Sequence, residues 1–263
     1  MGKRRKKKIF RRLSIGRILP NLTTLASLFT GLTQIRFAIS GQWEYVISAV
    51  LIAAFLDATD GRLARMLNSC SRFGAELDSL SDFAVFGLCP AIVMYCYSLS
   101  KLDRIGWIVS VFFAICMCLR LARFNTHDIE QIKNPFNGKF FTGVPAPAGA
   151  ILAMFPISLY NAFNGAEIFR NEYLSILSVI IAGILCISRV PTLSIKKFHI
   201  KREQYTLFLL CIVISACIVF AYTWKALCLI TIAYIFSIFY TAKKAKKLLM
   251  NSSSSDDQYS PDQ

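Results

Sequence analysis

The stretch from Asp57 to Asp82 reads DATDGRLARMLNSCSRFGAELDSLSD and lies where two long apolar blocks of the chain meet. Asp57 and Asp60 are three residues apart, and Asp78 and Asp82 are four apart, so each pair is predicted to share one helix face. A short loop joins the two blocks, and the helices are therefore expected to run antiparallel. The pattern predicts a helical bundle with four carboxylates gathered near one end.

Carboxylates of this kind are expected to have a function, because an ionised carboxylate inside an apolar span costs roughly 2.5–3.5 kcal/mol on insertion scales. Four like charges at close range repel one another, and divalent cations cancel that repulsion. All-oxygen ligands suit hard cations, so the residues predict Mg²⁺ or Mn²⁺, with two ions that would clamp a diphosphate. The alternative is a structural charge network with Arg62, Arg65 and Arg72.

Apolar blocks of membrane-spanning length recur along the whole chain, whose 263 residues are 55% hydrophobic and 17% charged. A helix needs about 20 apolar residues to cross the hydrocarbon core of a bilayer. The blocks are continuous rather than alternating, which favours helices over barrel strands. We therefore predict an all-α polytopic membrane protein with about eight transmembrane helices, at residues 18–39, 43–66, 78–100, 105–121, 144–163, 172–189, 206–222 and 225–242.

The net charge of +15 is concentrated at the ends of the chain and in a few loops. Residues 1–17 form a basic arm, residues 190–205 a basic loop, and residues 243–263 a basic and then disordered tail. The positive-inside rule places these segments and both termini in the cytoplasm, and an even number of spans gives the same topology. Basic clusters beside spans attract anionic headgroups, so membrane lipids are predicted partners and nucleic acid is not.

The acidic stretch also resembles a known signature. Its pattern Asp57-x2-Asp60-Gly61-x2-Ala64-Arg65-x8-Gly74-x3-Asp78-x3-Asp82 is similar to that of the CDP-alcohol phosphatidyltransferase family at all eight fixed positions. Within that family the chain resembles the bacterial integral-membrane phosphatidylserine synthases, over residues 15–165. The supporting stretches are PNLTTL (20–25), FGAELDSL (73–80), LRLARFN (119–125) and FTGVPAPA (141–148).

This resemblance implies a six-helix catalytic core at residues 18–189, followed by two additional helices within 206–242. It implies a homodimer and a polar cavity that opens to the cytoplasm. It also implies metal ligation by Asp57, Asp60 and Asp78, with Asp82 as a ligand or neighbour of a second ion and as the general base.

The resemblance further implies a site for the CDP moiety of CDP-diacylglycerol, lined by Gly61, Ala64, Arg65 and Gly74. The implied reaction transfers a phosphatidyl group from CDP-diacylglycerol to L-serine, at the bacterial inner membrane. Glycerol 3-phosphate and inositol phosphate are the alternative acceptors. A cation transporter with midplane carboxylates is the alternative from another class of protein.

The residues that would bind the acceptor follow less directly from the sequence. Arg120 and Arg123 lie at the predicted cytoplasmic end of the fourth span, where they and Lys139 would bind the acceptor carboxylate or the lipid phosphate. Their alternative is plain positive-inside flanking. Asn21 and Thr24 are expected at the same membrane level, where they would hydrogen-bond phosphate or cap the first helix.

Overall fold

The computed structural model describes residues 15–127, 140–188, 191–193 and 222–256, and these are mostly helical. The structure does not describe residues 1–14 of the basic arm, Lys139, most of the basic loop or residues 206–221 of the predicted seventh span. The α-helices are α1 (Ile15–Ile39), α2 (Trp43–Met66), α3 (Arg72–Asp82), α4 (Cys89–Tyr97), α5 (Arg104–His127), α6 (Ala146–Ala153), α7 (Phe155–Ala162), α8 (Glu172–Ile187) and α9 (Thr223–Asp256). The other elements are a π-helical segment (Phe83–Leu88), two 3₁₀ helices (Leu99–Leu102 and Glu167–Arg170) and the strands β1 (Phe140–Thr142) and β2 (Pro191–Leu193).

Helices α1 and α2 form an antiparallel pair that packs along most of its length. The Ser27 hydroxyl donates to the carbonyl oxygen of Ala53 at 2.9 Å, and this bond fixes the register of the pair near its middle. Asn21 and Thr24 lie well inside α1, which begins at Ile15. The helix-capping alternative for these two residues is therefore wrong.

Helix α3, the π-helical segment and α4 form one continuous helix, Arg72–Tyr97, rather than a span that begins at residue 78. The earlier start has a local cause, because the Ser71 hydroxyl accepts a hydrogen bond from the backbone N–H of Gly74 at 3.0 Å and caps the helix. Gln34 on α1 is fully buried, and its side-chain amide donates to the carbonyl oxygen of Val85 in the π-helical segment at 3.1 Å. The Gln34 bond thus joins α1 to the π-helical segment.

Two of the described helices are long and apolar enough to cross a membrane, Arg72–Tyr97 and Arg104–Asn125. Shorter apolar helices cover Glu172–Ile187 and Thr223–Ile238. Many large apolar side chains on the helices are exposed, among them Phe29, which is 73% exposed. Such apolar surfaces are typical of a protein that contacts lipid. The apolar helices thus agree with an integral membrane protein, while the count of eight spans stays a prediction.

The predicted fifth span, 144–163, is not one straight helix. It divides at Met154 into α6 and α7, and each of these helices has eight residues. Pro156 lies in the first turn of α7, where its missing N–H and its ring prevent α6 from continuing unbroken. The expectation of a single twenty-residue helix is therefore corrected to two short helices.

A short antiparallel strand pair was not expected in an all-α protein. Phe140 pairs with Leu193, and Thr142 pairs with Pro191. Helix α9 also differs from the prediction, because it continues past residue 242 to Asp256, through part of the tail that was predicted to be disordered. Residues 242–250 read AKKAKKLLM, and alanine, lysine, leucine and methionine are strong helix formers that extend the helix beyond its apolar block.

One end of the bundle, which we call the tryptophan end, lies at the start of α2 and the end of α4. Arg170 donates to the Tyr97 carbonyl oxygen at 2.9 Å, and its guanidinium lies 5.7 Å from the ring centroid of Trp43. The Asn161 amide donates to the Trp43 carbonyl oxygen at 3.2 Å. This end is closed by partnered polar groups.

Candidate active site

The opposite end, which we call the aspartate end, contains a group of three carboxylates. Asp57 and Asp60 come from the last turns of α2 and Asp78 from α3, and one oxygen of each lies within 4.8 Å of the others. Asp60 is buried, and the other two are half-buried. Hard divalent cations prefer oxygen ligands at this spacing, so the donor set fits a metal such as Mg²⁺ or Mn²⁺.

The alternative of a structural charge network finds no support within the described residues. There, the aspartates form no salt bridge with Arg62, Arg65 or Arg72, and the one ion pair, Lys101–Glu172, lies near the tryptophan end. The guanidinium of Arg65 donates instead to the Gly61 carbonyl oxygen at 3.0 Å. The carboxylates therefore repel one another without a protein cation to neutralise them, and a bound cation would relieve that repulsion.

Thr24 supports the carboxylate of Asp60. Its hydroxyl lies 2.7 Å from Asp60 Oδ2 and donates to it, and Thr24 itself is only 5% exposed. This bond orients the carboxylate of Asp60, which belongs to the group of three. The predicted contact of Thr24 with phosphate stays a prediction, while the structure adds a direct contact with a candidate metal ligand.

A cavity of about 300 Å³ adjoins the carboxylates between α1, α2 and α3. All six residues predicted to bind the CDP lipid line it together with Asp60 and Asp78: Asn21, Thr24, Gly61, Ala64, Arg65 and Gly74. Five further residues line it that sequence reasoning did not select: Pro20, Ser69, Cys70, Ser71 and Ala75. Three of these belong to the loop between the halves of the signature, and that position is the signal that could have revealed them.

The two glycines shape this cavity in different ways. A Cβ atom added at Gly61 would meet nothing within 4 Å, so this position faces open space. A Cβ atom at Gly74 would lie 3.1 Å from the side-chain oxygens of Asn21 and Ser71. Glycine at position 74 thus lets α1 and the loop approach α3 closely.

Asp82 lies one turn beyond Asp78 on the same face of α3. It is not part of the closely spaced group of three and does not line the cavity, although Asp57, Asp78 and Arg120 lie within electrostatic range. Its Oδ1 atom is buried and has no hydrogen-bond partner among the described residues. A buried, unpartnered carboxylate oxygen is free to accept a proton or to contact a ligand, which suits the predicted base.

Arg120 and Arg123 both bind backbone carbonyl groups. Arg120 Nε donates to the Val144 oxygen at 2.6 Å, and Arg123 Nη1 donates to the Ile187 oxygen at 2.6 Å. Arg120 therefore extends into the bundle, where it interacts electrostatically with Asp82. Simple flanking of a span does not account for this placement of Arg120.

Comparison with known proteins gives a consistent result. The family described as CDP-alcohol phosphatidyltransferase matches residues 17–190. The chain is 33% identical over 242 residues to a protein of Mycobacterium leprae. The matched residues cover 92% of this chain and 80% of the relative. It is 40% identical over 182 residues to a Mycobacterium tuberculosis protein (69% of this chain, 62% of the relative) and 34% identical over 193 residues to a Helicobacter pylori protein (73% and 79%). All three relatives are named CDP-diacylglycerol–serine O-phosphatidyltransferase.

Proposed function

This chain belongs to the CDP-alcohol phosphatidyltransferase family, and we propose that it transfers a phosphatidyl group from CDP-diacylglycerol to L-serine and releases CMP. The names of the relatives support serine as the acceptor. The observation that carries the proposal is structural. Asp57, Asp60 and Asp78 bring oxygens within 4.8 Å of one another, beside a cavity lined by the signature residues.

The carboxylate group would hold divalent metal, either Mg²⁺ or Mn²⁺. Asp57, Asp60 and Asp78 would supply the first set of oxygen ligands, and Asp82 would contact a second ion. Bound cations would neutralise the negative charge of a diphosphate and stabilise the charge on departing CMP. Thr24 holds Asp60 in position through its 2.7 Å hydrogen bond.

The protein side chains would position and deprotonate the substrates. The cavity between α1, α2 and α3 binds the CDP group, with Arg65 and Asn21 in its lining. Asp82 accepts the proton of the serine hydroxyl. The serine oxygen then forms a bond to the phosphorus that bears diacylglycerol, and the bond from that phosphorus to the CMP oxygen breaks.

The surroundings of the cavity suit a lipid substrate. Large exposed apolar side chains are close neighbours in sequence of its lining residues, among them Leu22, Met66 and Phe73. The diacylglycerol chains can therefore remain in the bilayer while the CDP group enters the cavity. We propose an inner-membrane enzyme with its site and both termini cytoplasmic, which the distribution of basic residues along the sequence supports, and the family resemblance adds a homodimer to the proposal.

The test is CMP release by the purified full-length protein in detergent, supplied with CDP-diacylglycerol and Mn²⁺ or Mg²⁺. L-serine, glycerol 3-phosphate and inositol phosphate are added in separate reactions, and EDTA is added to a matched serine reaction. We expect release that depends on serine and stops with EDTA. Release with only one of the other acceptors contradicts the serine assignment, and no release with any acceptor contradicts the proposed reaction.

A further inference from the structure

The π-helical segment Phe83–Leu88 begins directly after Asp82, between the helix that contains two of the aspartates and α4. A π-helical turn has more residues than an α-helical turn, and each residue of an α-helix turns it by about 100°. A return of this segment to α-helical hydrogen bonding would therefore rotate α3 relative to α4. Such segments are frequent at functional sites, so we asked what holds this one in place.

Pro90 explains why the helix changes its hydrogen-bonding pattern here. A proline inside a helix has no N–H, and its ring clashes with the carbonyl group four residues earlier, which belongs to Phe86. The backbone N–H of Cys89 donates to the Ala84 oxygen, five residues earlier, as in a π-helix. The next donor in this pattern would be the N–H of residue 90, which proline lacks. The π-helical pattern therefore supplies no backbone donor for the oxygen of Val85.

Gln34 on α1 supplies the missing donor. Its side-chain amide donates to the Val85 oxygen at 3.1 Å, and both residues are fully buried. A Cβ atom added at Gly31, one turn earlier on α1, would lie 2.5 Å from Val85 Cγ2. Glycine at position 31 thus lets the π-helical segment approach α1 closely. Helix α1 is shaped at two positions to receive this segment.

Burial of the Gln34 amide also has a cost in stability. Its Oε1 atom is buried and has no hydrogen-bond partner among the described residues. An unpaired buried polar atom destabilises the folded state, so an apolar side chain of similar size would fill the same space without that penalty. What the amide adds is the geometry of the segment that it binds.

We propose that Gln34 is a positioning residue, which holds the π-helical segment through the Val85 carbonyl group and thereby sets the rotation of α3. That rotation turns Asp78 and Asp82 toward the two aspartates of α2. The inference rests on the proposed function, because it concerns the geometry of the carboxylates that would hold metal in that reaction.

The test compares Gln34→Met with the wild type in the full-length protein, by Mn²⁺ titration, CMP release and thermal unfolding. Methionine fills similar space without an amide. We expect Mn²⁺ affinity to fall about tenfold and kcat about 10–100-fold, because small displacements of ligating and reacting groups have large effects. The midpoint of unfolding should change little, since the variant loses one hydrogen bond and also one unpaired oxygen.

The matched control is Ser178→Ala on α8. The Ser178 hydroxyl donates to the Leu152 oxygen at 2.7 Å and to the Ala153 oxygen at 2.9 Å, where α6 ends. This side chain also binds carbonyl groups at an irregular point of a neighbouring helix, but away from the aspartates. Ser178→Ala should lower the midpoint of unfolding and leave Mn²⁺ affinity and kcat unchanged.

A second experiment tests whether the missing backbone donor is the reason for the amide. Pro90→Ala restores an N–H at residue 90, so the Val85 oxygen no longer depends on Gln34. Gln34→Met should therefore weaken Mn²⁺ binding much less in the Pro90→Ala background than in the wild type, and the two changes should not be additive. Gly31→Ala, which pushes Val85 away from α1, should weaken Mn²⁺ binding as Gln34→Met does.

The outcomes separate a positioning role from a general loss of stability. Full Mn²⁺ affinity and kcat in Gln34→Met, with a wild type that binds Mn²⁺ and releases CMP, overturn the inference and leave the proposed function intact. Equal losses in both backgrounds also overturn it, and so does a similar loss of Mn²⁺ affinity in Ser178→Ala. A wild type that neither binds Mn²⁺ nor releases CMP contradicts the proposed function and the inference with it.

Discussion

At the tryptophan end of the bundle, the polar groups of Arg170, Tyr97 and Asn161 have hydrogen-bond partners, whereas at the aspartate end a buried carboxylate oxygen has none among the described residues. Arg170 donates to the Tyr97 carbonyl oxygen at 2.9 Å, and the Tyr97 hydroxyl donates to the Phe169 carbonyl oxygen at 3.2 Å. At the aspartate end, Asp82 Oδ1 lacks a partner among the described residues, and the clustered carboxylates there form no salt bridge. Both ends belong to the same helices, so the difference does not come from the fold itself.

The contrast indicates that the two ends serve different purposes. Partnered polar groups inside an apolar bundle stabilise one arrangement of helices. Unpaired like charges destabilise the protein alone and become favourable only when a ligand supplies the missing charge. Substitutions at the tryptophan end should therefore lower stability and leave binding constants unchanged. Substitutions at the aspartate end should weaken binding or catalysis and leave stability unchanged or slightly higher.

The largest expected effect is that of Asp82→Asn on the rate. Replacing the proposed base removes the proton acceptor and should lower kcat by about 10²–10⁴-fold. Thermal stability should be unchanged or slightly higher, because one negative charge is lost from a repulsive group. The measurements are CMP release and the midpoint of thermal unfolding, with Glu76→Gln, an exposed position of α3, as the control. An Asp82→Asn variant that keeps full activity but unfolds at a lower temperature would contradict the proposed difference between the two ends.

The next largest effect is expected at the tryptophan end, from Arg170→Ala. This change removes the hydrogen bond to Tyr97 and two cation–π contacts, with the rings of Trp43 and Tyr97. The expected loss in unfolding free energy is about 2–4 kcal/mol, with KM values unchanged. Denaturant unfolding in detergent measures it, and Arg104→Ala, an exposed arginine near the same end, is the control. A raised KM without loss of stability would contradict the assignment.

A smaller effect is expected when the support of Asp60 is removed. Thr24→Val keeps the shape of the side chain but deletes the hydroxyl that donates to Asp60 Oδ2. Loss of such a supporting hydrogen bond typically lowers metal affinity about 10–100-fold, which a Mn²⁺ titration measures directly. Thr24→Ser should restore affinity, and Thr23→Val, which removes a hydroxyl that donates to the Leu19 carbonyl oxygen, should have no effect. Unchanged Mn²⁺ affinity in Thr24→Val would rule out this role.

The smallest effect concerns Gly61, which faces open space in the cavity. Alanine there meets no atom within 4 Å, and alanine in a helix is about 0.5–1 kcal/mol more favourable than glycine. Gly61→Ala should therefore raise stability slightly while raising the KM for CDP-diacylglycerol, since the methyl group occupies space for the substrate. Denaturant unfolding tests the change in stability, and kinetic measurements on the same preparation test the change in KM. A stabilised variant with an unchanged KM would show that the substrate does not reach this position.

The aspartate site could be predicted from sequence because its information is local. Spacings of three and four residues place Asp57 with Asp60, and Asp78 with Asp82, on one helix face whatever surrounds them. The short loop then forces the two helices to meet. The lining residues Gly61, Ala64 and Arg65 were predicted from the family resemblance, and they directly follow Asp60 on α2.

Other features depend on contacts between distant parts of the chain. The β1–β2 pair joins segments about fifty residues apart, and its three-residue strands have no periodicity to recognise. The break at Met154 needed attention to Pro156, which an apolar count overlooks.

The central claim is that the carboxylates of the aspartate end hold divalent metal, and Mn²⁺ binding tests it most directly. The purified full-length protein is titrated with Mn²⁺ and the free ion is followed by electron paramagnetic resonance, for the wild type, Asp60→Asn and Glu44→Gln. Glu44 is an exposed acid at the other end of α2. We predict saturable binding by the wild type and by Glu44→Gln, and affinity at least about tenfold weaker in Asp60→Asn. Equal binding by all three proteins would contradict the account.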